Sequence, residues 1–124
     1  MEHPRSLKTV LLVDDEQEIC ELLSNMLRRT GTECRFAHSV AEGRAALQSG
    51  DFDAVFLDIR LPDGLGYELI PAIRSTQPGA RVIAISALDH EGLRATAEGA
   101  DLFVPKPFNR SIIMSSINAL GFQA

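Results

Sequence analysis

Four short apolar runs in this chain each lead to a polar group that could hold or transfer phosphate. Val10-Leu11-Leu12-Val13 is followed by Asp14-Asp15, and Ala54-Val55-Phe56-Leu57 by Asp58. Val82-Ile83-Ala84-Ile85 is followed by Ser86-Ala87, and Leu102-Phe103-Val104 leads through Pro105 to Lys106-Pro107. If each run is a buried strand of one parallel sheet, these groups gather at the C-terminal edge of the strands, where such sheets bind ligands. Three carboxylates, a hydroxyl and an ammonium then converge. That set suits a divalent metal and a phosphoryl group. At an effective dielectric near 20, two like unit charges ~4 Å apart repel by about 4 kcal/mol. A hard cation such as Mg²⁺, which takes oxygen ligands, would answer that repulsion. Lys106 would serve phosphate as a point charge.

Each residue also has an ordinary reading. Asp15 with Glu18 fits a capping box at a helix start. Asp58 alone is a turn acid, Ser86 a strand-end serine and Lys106 a surface lysine. Their combination favours the site. Pro105 and Pro107 flank Lys106, which points to a structured loop.

The elements that must position these groups follow from periodicity. Apolar runs alternate with amphipathic stretches and predict strands at 9–13, 33–37, 53–57, 81–85 and 101–104. Helices are predicted at 16–29, 40–49, 66–76, 90–98 and 110–120. Strict alternation of strand and helix argues for an α/β domain with a doubly wound parallel sheet of five strands flanked by five helices. The runs near 10, 55 and 83 are apolar throughout, as expected of strands covered on both faces. Glu33-Cys34-Arg35-Phe36-Ala37 is mixed and suits a sheet edge. Ile19, Leu22, Leu23, Met26 and Leu27 recur at helical spacing, with Glu16, Glu18 and Glu21 early and Arg28 and Arg29 late, complementing the helix dipole. Ser39-Val40-Ala41-Glu42 reads as a capping box, Pro62-Asp63-Gly64 as a turn, and Asn109 as an N-cap. Residues 1–8 read as a flexible lead-in and 9–121 as the domain.

Composition narrows the function classes. The chain has 124 residues, 45% of them hydrophobic, enough for one domain with a real core. Its net charge of −5, with no basic stripe, argues against direct nucleic-acid binding. No apolar run is long enough for membrane insertion. Met1-Glu2-His3-Pro4-Arg5 lacks the apolar segment of a secretory leader, so a cytoplasmic location is expected. Cys20 and Cys34 show neither a disulfide framework nor metal-ligand spacing, and read as free buried thiols in a reducing compartment.

Together these motifs resemble the receiver domain family of two-component response regulators, the chemotaxis type included. The resemblance spans roughly residues 9–121. It rests on Asp14-Asp15, Asp58 with Pro62 and Gly66 after it, Ser86-Ala87, Phe103 and Lys106-Pro107-Phe108. It implies a flavodoxin-like fold with strand order 2-1-3-4-5. It further implies that Asp58 is the phosphoacceptor, taking its phosphoryl group from phosphohistidine of a histidine kinase or histidine phosphotransfer protein. By the same resemblance, Asp15, Asp58 and the backbone carbonyl of Arg60 would ligate Mg²⁺, with Asp14 acting through a metal-bound water. Lys106 and Ser86 would contact phosphoryl oxygens, Phe103 would be the aromatic switch residue, and a downstream protein target would read the result.

The chain departs from the common family pattern in four places. Gly64-Leu65-Gly66 lacks the acid often found before the glycine. Phe103 has no hydroxyl, so its inward state must rest on packing. Ser86 replaces threonine and loses the β-methyl that stiffens χ1. The stretch from Ser86 to Gly99 is about two residues short by the family pattern and carries Gly92, a helix-weakening residue, so a short fourth helix is expected.

Rival functions fit less well. A turnover phosphatase with an aspartyl nucleophile would want a second acid two residues on, where this chain has Arg60. A flavin site would need a hydroxyl- and glycine-rich loop after the first strand, where Asp14-Asp15-Glu16 would repel phosphate. The chain is therefore expected to be a switch and not a turnover enzyme. The alternative is a phosphorylation-independent pseudo-receiver, an interaction module. A single-domain regulator and a receiver cut from a longer protein fit the sequence alike.

Overall fold

The computed structural model describes residues 5–123. Its main sheet has five parallel strands: β1 (Thr9–Val13), β2 (Glu33–Ala37), β3 (Ala54–Asp58), β4 (Arg81–Ser86) and β5 (Leu102–Pro105). Their spatial order is 2-1-3-4-5, and the mixed strand β2 is at the edge as its composition requires. Five helices connect and cover them: α1 (Gln17–Arg28), α2 (Val40–Ser49), α3 (Ile70–Thr76), α4 (Gly92–Ala97) and α5 (Arg110–Ala119).

Side-chain alternation along each strand divides the core into two layers. Val10, Leu12, Phe56, Ile83 and Ile85 face α1 and α5, packing with Cys20, Leu23, Leu27, Ile113 and Ile117. Leu11, Val13, Val55, Leu57, Val82 and Ala84 face the other way, against Val40, Leu47, Ile73 and Ala95. Both faces are buried, which is why β1, β3 and β4 needed continuous apolar sequence.

Register brings the polar strand ends together. Val13 pairs with Leu57, Asp58 with Ile85, and Ser86 with Pro105. The residues one step beyond Val13 and Pro105 are Asp14 and Lys106, so both emerge at the same edge as Asp58 and Ser86. The Lys106–Pro107 bond is cis.

Several local expectations are corrected. Of the expected lead-in, residues 1–4 lie outside the described residues. Residues 5–8 are not loose: Arg5–Ser6 pairs in parallel with Phe122–Gln123, and Leu7 is buried against the α1/α5 layer. Hydrogen bonding from Arg5 N–H to the Gly121 carbonyl, 2.9 Å, holds this second small sheet. The third helix begins as a 3₁₀ turn over Gly66–Leu69 before turning α-helical. Gly92 is the first residue of α4 and so costs less than a mid-helix glycine, although α4 is short at six residues. The Ser39 cap forms, accepting from Glu42 N–H at 3.0 Å, but the Glu42 carboxylate accepts from His38 N–H instead of closing the box on Ser39. Asn109 caps α5 as expected, accepting from Ile112 N–H at 2.9 Å. Cys34 is only half-buried.

Gly66 is fixed by close approach. A Cβ there would overlap the carbonyl oxygen of Asp58 and press on Leu57 at 3.1 Å. Backbone cannot yield as a side-chain tip can. Gly66→Ala is therefore expected to destabilise the fold by at least the ~1–3 kcal/mol typical of overpacking. Chemical denaturation checks this; a variant as stable as the parent would show that the loop shifts freely.

Candidate functional site

Asp14 is the most constrained group of the site. Its N–H donates to the Ala37 carbonyl at 3.0 Å, and its own carbonyl accepts from His38 Nδ1 at 2.9 Å. Its side chain is fully enclosed. Oδ1 accepts from Glu16 N–H at 2.9 Å, and Oδ2 accepts from Lys106 Nζ at 2.9 Å. The capping role considered for Asp15 does not occur. Glu16 is the N-cap of α1 and has no side-chain cap, and Asp15 is left exposed at the mouth of the site. Cys20 Sγ lies 3.5 Å from the Asp14 carbonyl, and burial pushes its thiol up to about 12, which makes it chemically silent.

Asp58 ends β3 in a nearly closed setting, and Lys106 Nζ stands 3.7 Å from its Oδ2. Burial and the neighbouring Asp14 charge drive the Asp58 carboxyl up to about 7, against the opposing pull of Lys106. Burial works against the charge on Lys106 as well. Its hydrogen bond to Asp14 and the charges of Asp58, Asp14 and Glu16 outweigh that and hold its pKa above the ordinary lysine value. The acidic cluster is therefore not uncompensated, as the sequence suggested: Lys106 reaches Asp14, Asp58 and, at 3.4 Å, Glu16.

A cavity of about 270 Å³ opens here, lined by Asp15, Glu16, Asp58, Arg60, Ser86 and Lys106, with Ala87 and Leu88. A larger cleft of about 520 Å³ lies elsewhere, bounded by Thr9, Cys34 and Phe52. Volume does not mark the site; convergence of charge does. Ser86 Oγ accepts from Leu88 N–H at 3.1 Å, which leaves its proton free for another acceptor. Phe103 does not line the cavity. It is half-buried on the far side of β4 from β3, where a Cβ on Gly92 would come within 3.3 Å of its ring.

Two participants were missed by sequence reasoning. Sequence reasoning reads Glu16 as a helix-dipole acid and as part of an acidic run that repels phosphate, but not as a member of the site, yet carboxylate oxygens of Asp14, Asp15 and Glu16 lie within 4.8 Å of one another. The sequence reads Asp63 as turn chemistry, yet its carboxylate accepts from Val40 and Ala41 N–H at 2.8 and 3.0 Å, tying the loop after β3 to the start of α2. These hydrogen bonds hold the Asp63 carboxyl below its ordinary value. The donor set at the cavity is all oxygen, so the residues present fit a hard divalent cation and not a soft one.

Residues 10–118 match the family described as the response regulator receiver domain. The chain belongs to that family. Its curated relatives include the transcriptional regulatory protein GltR of Pseudomonas aeruginosa, 38% identical over 117 residues, covering 91% of this chain and 48% of the relative. The response regulator protein PilR of the same species is 39% identical over 105 residues, covering 82% of this chain and 23% of the relative. The receiver thus spans about half or less of the length of these curated relatives. Among solved structures, TrrA of Thermotoga maritima in complex with Mg²⁺-BeF superposes with a TM-score of 0.82 at 33% identity, covering 92% of this chain and 99% of that one. The chemotaxis response regulator CheY4 of Vibrio cholerae gives 0.84 at 25% identity, covering 93% and 99%. Among the described residues of the receiver, no helix is long and apolar enough to cross a membrane.

Proposed function

We propose that this receiver is a phosphorylatable switch whose acceptor is Asp58. The observation that carries the reading is Asp58 at the cavity wall with Lys106 Nζ 3.7 Å away and the Asp14–Glu16 carboxylates beside it. An oxygen of the Asp58 carboxylate attacks phosphorus of a phosphohistidine on a histidine kinase or histidine phosphotransfer protein. The P–N bond breaks, its electron pair returns to the imidazole, and an acyl phosphate forms. Such a transfer needs positioning and charge neutralisation more than covalent assistance. Lys106 is placed to leave the Asp14–Asp58 pair for a phosphoryl oxygen, and Ser86 has a hydroxyl proton to give to another. Asp15, Asp58 and the Arg60 carbonyl would hold Mg²⁺, with Asp14 behind a water; the cation would neutralise phosphoryl charge.

The acyl phosphate is a charge change that shifts surface populations toward a form read by a downstream protein target. The chain is a stoichiometric switch and not a turnover enzyme. Its free Cys20 and Cys34 suit a reducing cytoplasm. Its charge of −5 disfavours direct contact with nucleic acid, so any DNA contact in longer relatives would belong to their remaining length.

Incubation with acetyl phosphate and Mg²⁺, followed by intact-mass spectrometry, tests the reading. One phosphoryl group per chain, absent when a chelator is present during the incubation, is the expected result. No adduct would favour the pseudo-receiver, and steady phosphate release without a retained adduct would favour an enzyme. Asp15→Ala should weaken Mg²⁺ binding more than Asp14→Ala, because Asp15 is exposed at the cavity whereas Asp14 is enclosed and paired with Lys106. NMR titration measures both; equal affinity in the parent and Asp15→Ala would remove Asp15 from the ligand set.

A further inference from the structure

Tyr67 is the single tyrosine of a chain without tryptophan. It is buried, and its hydroxyl donates to Glu91 Oε2 at 2.8 Å across 24 residues of sequence. Glu91 is only 6% exposed. A carboxylate so enclosed needs compensation. Tyr67 supplies a hydrogen bond, and the Arg94 guanidinium, 5.0 Å from the centre of the Tyr67 ring, supplies nearby positive charge.

The two ends of this contact belong to the two segments that border the acceptor pocket. Tyr67 directly follows Gly66, whose N–H donates to the Ile59 carbonyl at 2.7 Å and whose α-carbon lies against Asp58. Glu91 closes the 3₁₀ turn Asp89–Glu91 and immediately precedes Gly92, against which Phe103 rests. At the other end of the same segment, Leu88 N–H is held by Ser86 Oγ. Residues 86–91 are thus pinned at Ser86 and at Glu91.

We infer that the Tyr67–Glu91 hydrogen bond is a latch that holds the β4–α4 segment in its resting position and releases when Asp58 carries a phosphoryl group. This inference rests on the receiver reading above. Drawing Ser86 toward a phosphoryl oxygen pulls on a segment whose far end is fixed. Hydrogen bonds tolerate only a few tenths of an ångström of stretch, and packed contacts switch between arrangements instead of deforming smoothly. Apart from the sheet bond in which the Ser86 carbonyl accepts from Lys106 N–H at 2.8 Å, the bond to Glu91 is the one long-range polar tie of residues 86–91 among the described residues. Because the resting state holds the bond and the switched state lacks it, the latch biases the unphosphorylated protein toward rest. Its removal must favour the switched state and tighten binding of anything that prefers that state, by linkage.

The test uses the full chain, Mg²⁺ and beryllofluoride as phosphoryl mimic. Tyrosine hydrogen-bonded to carboxylate is quenched, so parent emission should rise as the mimic binds, and Tyr67 is the sole emitter. Tyr67→Phe and Glu91→Met should each bind the mimic about 5-fold more tightly, the worth of one net hydrogen bond. The double variant should gain no more than either single one, because both remove the same bond. Mimic binding with unchanged parent emission would overturn the latch without needing any variant to fold. Unchanged or weaker affinity in folded variants, or additive gains, would overturn it too. A parent that binds no beryllofluoride would sink the receiver reading and the latch together; a parent that binds, with variants that match it, would sink the latch alone.

Discussion

Asp58→Asn is expected to remove all modification by acetyl phosphate and, with divalent cations chelated, to raise the melting temperature at pH 8 while leaving it nearly unchanged at pH 4. The first effect follows from loss of the carboxylate proposed as the nucleophile. The second follows from linkage. In the folded protein the Asp58 carboxyl is raised from 3.8 to about 7 by burial and by Asp14. The unfolded chain therefore gives up its proton first, and the parent loses stability as pH rises from about 4 to about 7. Asparagine does not ionise, so the gap between variant and parent opens over that window and is constant above it. A shift of this size corresponds at most to roughly 4 kcal/mol. Saturating Mg²⁺ should close much of the gap by restoring the favour for the ionised form. Full modification of the variant would move the acceptor elsewhere. Parallel stability-pH curves would show that the pocket does not strain Asp58.

Lys106→Ala should cost the cation-free protein the most stability of any change at the site. The ammonium sits 2.9 Å from an Asp14 oxygen and 3.7 Å from an Asp58 oxygen, both on buried side chains. Removing one partner of a buried pair leaves the other charge without compensation, a loss of about 3–5 kcal/mol. For a domain of this size that is a fall in melting temperature of roughly 10–20 °C. Calorimetry in chelator at pH 8 measures it. Lowering the pH should shrink the deficit, because Asp58 can then take up a proton, and Mg²⁺ should shrink it by supplying other positive charge. The variant should still accept some phosphate, because the proposed mechanism uses Lys106 neither as nucleophile nor as metal ligand. Its response should be small. A charge-assisted contact is worth about 1.5–3 kcal/mol, a large part of the ~5.5 kcal/mol that a full population reversal requires. Beryllofluoride-induced amide shifts around Ser86 and residues 100–110 that match the parent would show that the lysine does not couple phosphate to the switch.

Much of this was legible because the site is built from strand ends. Asp14, Asp58, Ser86 and Lys106 each follow an apolar run that had to be a buried strand, and a parallel sheet leaves one edge for their polar successors. The edge position of β2 was legible for a related reason: Glu33 and Arg35 could not face a covered layer. Long-range partners left no such trace. Glu16 looks like any first-turn acid until β5 brings Lys106 within 3.4 Å. Asp63 looks like a turn residue until its carboxylate meets the backbone of α2. Arg5 looks like part of a polar tail until it pairs with Phe122, with its guanidinium 4.9 Å from that ring. Local periodicity reports which face of an element is buried. It carries nothing about which polar tip another element will deliver.

The pairing of Arg5–Ser6 with Phe122–Gln123 also sets how the domain bears a load. The two strands are parallel, so tension applied through residues 5 and 123 pulls them along their length in opposite directions. The inter-strand bonds are then sheared together instead of being peeled one by one. Arg5 reinforces the joint sideways, with its guanidinium 2.8 Å from the Gly79 carbonyl and 3.5 Å from Asp53. A twist or pull transmitted from either end therefore reaches the strands at Asp53 and Arg81 before it reaches the acceptor pocket, because Asp53 N–H and carbonyl bridge Thr9 and Arg81 at 2.8 and 3.0 Å. The acceptor pocket lies at one edge of the main sheet, and the mechanical clamp, a separate two-stranded sheet, is tied to the strand starts at the other.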